Sequence, residues 1–395
     1  MNVLINAVSA KSGGAATYLR NLAQSLSERQ SDHRYLLLVP PQGRHSCLAS
    51  SKSVTVRETS IASAPAWRRF LWDQIVVRRL VKTECIDVLV SSSDFGMVYP
   101  PCPQVLLLRN ALYFAPLYRQ YVLARHAWKT RLSYLLRKLL IAASARSATR
   151  VLVASRSMMR DVQADFALPP DRLCVNSFGI PVGRFRSFDL QAAEKSKGAQ
   201  PSVFRMLYVA EYGDYKNFTV LYRAIKKLSE EGINDILLVT TTDPWQNFAA
   251  ASVSRQDDQH LAADPFVAPF VKSVGYVPYE QVPGLYTESD LVLFPSLSES
   301  FGHPLVEAMA SGRPILAADT AINREICGEA AHYVDPFDAE GFAGQMQMLR
   351  RDADLRARLG AEGQRRAQQR FMWDDHVERL IRTIEEVKEY DQRGH

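Results

Sequence analysis

Acidic residues are missing from a long stretch of this chain: positions 95–160 hold eleven Lys or Arg and no Asp or Glu. Charges elsewhere nearly balance, so the net charge is only +6 over 395 residues. A span that excludes one sign calls for an anionic partner or a structural reason. Cysteine is scarce and scattered (Cys47, Cys85, Cys102, Cys174, Cys327), without the close pairs of a zinc site or a disulfide framework, which fits a reducing cytoplasm. No run approaches the roughly 18 apolar residues of a membrane span. The opening residues 1–7 lack the basic lead and small-residue cleavage site of a secretory signal. With 47% hydrophobic and 23% charged residues, the composition is that of a folded soluble protein, long enough for two domains with separate cores.

What is present has a repeating grammar. Residues 2–7 have strand composition, 8–14 form a turn-rich loop, and 15–26 carry Leu19, Leu22 and Leu26 at helical spacing. Short apolar runs recur at 35–39, 86–90, 104–108 and 150–154, with helical or loop-like stretches between them. Such alternation predicts an α/β domain, a buried parallel sheet with helices on both faces. Residues 187–202 turn polar, interrupted by Gly198 and Pro201, as linkers are. The grammar then restarts, with strand-like runs at 204–209, 235–240, 271–277, 290–295 and 314–317 and a helical pattern at 220–231. The tail 361–390 is helical, with Phe371, Trp373, Val377, Leu380, Ile381 and Ile384 as its apolar positions. The expected organisation is a Rossmann-like domain over 1–186, a linker over 187–202, a second Rossmann-like domain over 203–370, and a closing helix over 371–395 that packs back on the first domain. Two doubly wound sheets whose carboxyl ends face each other across a cleft bind ligands there.

The densest chemistry follows the strand at 290–295. Residues 296–303 read as a loop and Pro304 suits the first turn of a helix, which puts Glu299 in the loop and Glu307 in that first turn. Two such carboxylates beside exposed backbone amides can grip hydroxyls and a phosphate together. Taken alone, Glu307 more simply complements a helix dipole and Glu299 faces solvent. The run Glu299-Ser300-Phe301-Gly302-His303-Pro304-Leu305-Val306-Glu307, continuing through Gly312-Arg313-Pro314, closely resembles the donor-site signature of the retaining glycosyltransferases of family 4.

That resemblance implies the GT-B fold and transfer of a hexose or deoxyhexose from a nucleotide-diphosphate sugar of UDP or GDP type. The acceptor would be a glycan or a lipid-linked glycan of a bacterial surface polysaccharide. By position, Glu299 would lie against the sugar, Glu307 would bind the ribose hydroxyls, and the stretch Ser300, Phe301, Gly302, Pro304 and Leu305 would meet the sugar or diphosphate. Lys216, after the first strand of the second half, would neutralise the leaving diphosphate. Val277, in Gly275-Tyr276-Val277-Pro278, would pair with the nucleobase edge, and Gly13-Gly14 would bring backbone amides to the donor or the acceptor. Relatives often carry an arginine shortly before that lysine, where this chain has Ala210, Glu211 and Tyr212, and Arg109 or Arg156 could replace it. Where they often carry His-Asp, this chain has Arg109-Asn110, candidate acceptor contacts. No metal and no resident cofactor are implied; the nucleotide sugar is a co-substrate. A sugar-nucleotide epimerase on the same fold, or a silent sugar-nucleotide-binding subunit, would carry the same marks.

In the acid-free segment, Tyr121, Trp128, Leu132, Leu135, Leu136 and Leu139 recur at helical spacing over 118–143 among Arg125, Lys129, Arg131, Arg137 and Lys138. This predicts a basic amphipathic helix that contacts an anionic membrane through 118–146, or a core helix with a solvated basic face. The scattered cysteines and the lack of a visible secretory signal place the protein in the cytoplasm, at the inner face of the membrane if that contact is made. Nucleic acid is not expected as a partner, because no binding module accompanies the charge.

Overall fold

Short apolar runs become buried parallel strands in both halves of the chain. The computed structural model describes residues 1–10, 13–29, 31–41, 50–186, 203–242, 245 and 252–393. The first sheet contains β1 (Asn2–Asn6), β2 (Arg34–Val39), β3 (Val54–Glu58), β4 (Val88–Ser91), β5 (Gln104–Leu108), β6 (Arg150–Val153) and β7 (Leu173–Val175), in the order β3-β2-β1-β4-β5-β6-β7. The second contains β8 (Phe204–Tyr208), β9 (Ile236–Thr240), β10 (Val271–Ser273), β11 (Leu291–Phe294), β12 (Ile315–Ala318) and β13 (Ala331–Val334), in the order β10-β9-β8-β11-β12-β13. All pairings are parallel. Central strands such as β5 and β11 are buried along their whole length, as strands covered by helices on both faces must be. The winding direction reverses between β1 and β4 and between β8 and β11, and a crevice opens at the carboxyl ends of the strands at such switch points.

Residues 1–114, 128–177 and 374–395 form one compact unit; 115–127 and 178–373 form the other. The expected continuous first domain over 1–186 is thereby corrected: 115–127 and 178–186 pack with the second sheet. The expected linker, 187–202, lies outside the described residues. In the tail, the helix Ala353–Arg370 ends at Phe371 and the helix Trp373–Arg393 begins two residues later. The latter buries Val377, Leu380, Ile384 and Val387. Its His376 Nε2 meets the Tyr18 hydroxyl at 3.0 Å, and Nδ1 lies 3.1 Å from Asn176 Oδ1.

Four further expectations are corrected. The helix after β1 runs Gly13–Glu28, so Gly13 and Gly14 open it rather than preceding it in a loop. Strand β10 stops at Ser273 instead of reaching Val277. Glu307 is the fifth residue of the helix His303–Ala310, beyond its first turn. The acid-free segment is not one helix: a π-helical turn Tyr118–Val122 and a 3₁₀ turn Leu123–Arg125 end at extended His126, and a separate helix, Trp128–Ser147, follows. That helix packs Tyr134, Ile141, Ala142 and Ala145 inward, and the apolar stripe read from the sequence is on its exposed side.

Candidate active site

Strands β8 and β11 are neighbours, with Met206 beside Leu291 and Leu207 beside Val292, so the loops leaving their carboxyl ends emerge together. Backbone and side chains then tie the loops to each other. The Tyr208 hydroxyl donates to the Lys216 carbonyl (2.8 Å) and lies 3.1 Å from Ser296 Oγ. Leu297 N donates to the Tyr215 carbonyl at 2.8 Å. Asn217, left-handed at φ 55°, donates through Nδ2 to the Pro295 and Pro336 carbonyls (3.3 and 2.7 Å). The outcome is an ion pair between residues 83 positions apart: Lys216 Nζ is 2.5 Å from Glu299 Oε1. Both side chains are nearly enclosed, at 10% and 13% exposure.

Burial opposes the ammonium, but the Glu299 carboxylate and the phenols of Tyr215 and Tyr208 more than offset it, holding the Lys216 pKa above that of an ordinary lysine. The Tyr215 ring, 5.0 Å from Nζ to its centroid, adds a cation–π contact. A lysine that stays charged at a switch point can neutralise an incoming anion, and the carboxylate it then releases can accept hydroxyls.

Downstream, Gly302 caps the helix His303–Ala310 at φ 80°, a left-handed conformation, and Pro304 occupies its first turn. A Cβ at 302 would be strained by the left-handed backbone and would crowd Leu305 Cδ1 (3.1 Å) and Phe294 Cζ (3.3 Å). Phe301 and Leu305 are wholly buried, and the Leu305 amide donates to the Gly302 carbonyl at 3.0 Å. The Phe301 ring packs edge-on against Phe178, His303 and Phe371. Ser300 is half-buried. The Glu307 carboxylate is buried and accepts from the Tyr286 hydroxyl at 2.9 Å. Burial pushes its pKa up to about 7, with hydrogen bonds from Tyr286 and Tyr279 pulling the other way. Val277 lies in the loop beyond β10, half-buried.

The other candidates belong to the first unit. Arg109 and Asn110 follow β5, and both backbone amides donate to Asp94 Oδ1 (2.8 and 3.0 Å). The Arg109 guanidinium lies 4.3 Å from the centroid of the Tyr18 ring. Asn110 Oδ1 accepts from Leu112 N at 3.1 Å and so caps the turn Ala111–Tyr113. At the β1/β4 switch point Asn6 Nδ2 donates to Asp73 Oδ1 at 2.8 Å, and burial pushes Asp73 up to about 7. Around Gly14 nothing would meet an added Cβ, so no clash requires glycine there. Arg156 starts the helix Arg156–Phe166 and is exposed.

Sequence reasoning missed Asp94, Asp73, Tyr279, Tyr286 and Asp214. Asp94 had a signal, being the last acid before the acid-free run. Asp214 starts the turn that carries Lys216, accepts from Val253 N and Ser254 N (3.2 and 2.9 Å), and lies 3.4 Å from His126 Nε2.

Two family models match. Residues 12–184 match Glycosyltransferase Family 4, and residues 191–366 match Glycosyl transferases group 1. The MMP alpha-(1→4)-mannosyltransferase of Mycolicibacterium hassiacum is 26% identical over 248 residues, covering 62% of this chain and 55% of that protein. The chain thus spans about half the length of the curated relatives it matches. Among solved structures, Anabaena Alr3699/HepE in complex with UDP-glucose has a TM-score of 0.73 at 18% identity, covering 98% of this chain and all of that one. WaaG, a glycosyltransferase involved in lipopolysaccharide biosynthesis, has a TM-score of 0.73 at 17% identity, covering 97% of this chain and 99% of its own. These structural likenesses establish the two-domain GT-B fold.

Proposed function

We propose, from the premise that this chain belongs to the glycosyltransferases of family 4 and group 1, that it moves a hexose or deoxyhexose from a nucleotide-diphosphate sugar to a hydroxyl of a glycan or lipid-linked acceptor, with retention at the anomeric carbon. The observation that carries the reading is the enclosed Lys216–Glu299 pair at the β8/β11 switch point, next to the amino end of the helix His303–Ala310. The UDP and UDP-glucose complexes of the Anabaena neighbour support a nucleotide donor.

On this reading, the donor diphosphate takes the place of Glu299 as the partner of Lys216. The bond from the anomeric carbon to phosphate lengthens toward an oxocarbenium-like state. Lys216 and the amino end of the helix His303–Ala310 stabilise the charge that builds on the leaving phosphate. Glu299, released from the lysine, accepts sugar hydroxyls and fixes the ring, while Glu307 holds the ribose. The departing phosphate oxygen takes the proton of the acceptor hydroxyl on the same face, so no side-chain base is required and no metal takes part. Val277 contacts the base. Gly13 and Gly14 present backbone to the donor or acceptor, Arg109 and Asn110 meet the acceptor, and Arg156 is a second candidate for the absent family arginine. The setting is polysaccharide assembly at the cytoplasmic face of a membrane.

A thermal-shift screen of UDP, GDP and their sugars identifies the donor, and NMR of the product gives its anomeric configuration. Retention is expected; inversion sinks the same-face mechanism. Transfer at the wild-type rate by Lys216→Ala would remove the site assignment.

A further inference from the structure

Two helical elements of the first unit turn apolar side chains outward. In the first, which runs from Ala66–Trp72 through the π-helical turn Asp73–Val77 to Arg78–Thr83, Trp67, Leu71, Ile75 and Val76 are 56%, 48%, 52% and 42% exposed. Trp67, Leu71 and Ile75 recur every four residues and so share a side of the helix, while Val77 and Val81 enter the core beside Leu4 and Leu38. In the helix Trp128–Ser147, Trp128, Leu132, Leu135, Leu136 and Leu139 are 68%, 48%, 55%, 54% and 66% exposed and form one stripe at i, i+4, i+7, i+8 and i+11. Ile141, Ala142 and Ala145 occupy the core side.

The two elements flank one loop. The Gly96 carbonyl accepts from Gln74 Nε2 (3.3 Å) of the first and from Ser144 Oγ (3.1 Å) of the second. Phe70 packs edge-on against Phe95 at 6.3 Å. Exposed apolar area on this scale marks a contact surface. Its charge is of one sign. Arg68, Arg69, Arg78, Arg79 and Lys82 lie on the first element, whose single acid, Asp73, is buried against Asn6. Lys129, Arg131, Arg137, Lys138 and Arg146 lie on the second, which has no acid. Glu84, just beyond the first element, pairs with Arg57, and Lys138 with Asp165 of a neighbouring helix.

We infer that these two faces together form a single seat for an anionic lipid bilayer. This extends, and rests on, the membrane setting proposed above. It replaces the single segment 118–146 with a two-helix surface in which the added apolar contact comes from residues 67–76, outside the acid-free run. Indole rings suit the depth of the headgroups, leucine and isoleucine the acyl boundary, and flanking Arg and Lys the anionic headgroups. A nucleic acid would leave the aliphatic stripe in water.

The test is flotation of the purified chain with vesicles of phosphatidylglycerol and phosphatidylcholine in equal parts, against phosphatidylcholine alone. Binding to the anionic vesicles, weakened by added salt, is expected. The pairs Trp67→Ser with Leu71→Ser, and Leu132→Ser with Leu136→Ser, each lower partitioning by about tenfold or more. Phe266→Ser, an exposed ring on the second unit, leaves it unchanged. Loss of binding with the second pair alone overturns the two-helix surface. Equal binding to neutral vesicles overturns the anionic specificity. A dimer by light scattering that both pairs dissociate, without vesicle binding, assigns the face to a second copy and overturns the inference. Nucleotide thermal shift, run in parallel, keeps the catalytic reading separate: nucleotide binding without vesicle binding leaves that reading standing, and the reverse leaves this one.

Discussion

At the scale of single residues, Lys216 and Glu299 are sensitive to substitution, because each charge is enclosed with the other as partner. Replacing Glu299 by Ala strands a buried ammonium, an expected cost of about 3 kcal/mol in urea denaturation. Lys216→Ala is expected to cut kcat by about 10²–10³, the effect of removing one stabilising charge from a transition state. Glu307 makes a pH prediction. Its folded pKa of about 7 exceeds the ordinary 4.5, so the folded state holds the proton more tightly. This contribution is complete below pH 4.5 and is lost as pH rises to about 7. Glu307→Gln should flatten stability across that window and exceed the wild type at about pH 8 by about 3 kcal/mol, read from denaturation curves at both ends. The sequence displays Lys216 and Glu299 as separate motif positions, but their pairing depends on β8 and β11 being sheet neighbours. No local pattern could have shown it. Tyr286 carries no mark at all, since its role comes from where its hydroxyl reaches.

At the scale of elements, close backbone approach decides which glycines matter. A Cβ on Gly360 would collide with the Gly312 carbonyl, where the helix Ala353–Arg370 passes the end of the helix His303–Ala310. Gly360→Ala is expected to cost about 1–3 kcal/mol as the two elements are forced apart. Gly344, inside the helix Ala339–Arg351 and facing open space, should gain about 0.5–1 kcal/mol when changed to Ala. Calorimetry on the two variants checks both signs. The elements that escaped the sequence share a cause. Strands β3, β7 and β13 are all edge strands, with partly exposed and polar residues in place of a continuous buried run. The remaining edge, β10, was read too long for the same reason, as the apolar text continues past Ser273 after pairing has stopped. In the helix Trp128–Ser147 the apolar stripe was legible, but periodicity does not say which of two apolar sides faces the core.

For the whole molecule, two units with separate sheets predict two heat-absorption transitions, of which the one containing Lys216 and Glu299 rises when the cognate nucleotide is added. A shift confined to the other transition would contradict the donor assignment. Removing 374–395 should abolish the transition of the first unit, since Val377, Leu380, Ile384 and Val387 leave its core together with the His376 bridge to Tyr18. Four such side chains amount to about 6 kcal/mol or more, comparable to the whole stability of a domain.

That return of the chain to its first unit also sets an order of synthesis. On the ribosome, the seven-stranded sheet has all its strands by Val175, yet its covering helix arrives roughly two hundred residues later, a wait of about 10–40 s at ordinary elongation rates. During that interval the apolar ground for Val377, Leu380, Ile384 and Val387 stands open, so the amino-terminal half of the nascent chain is the half that a holding chaperone must guard.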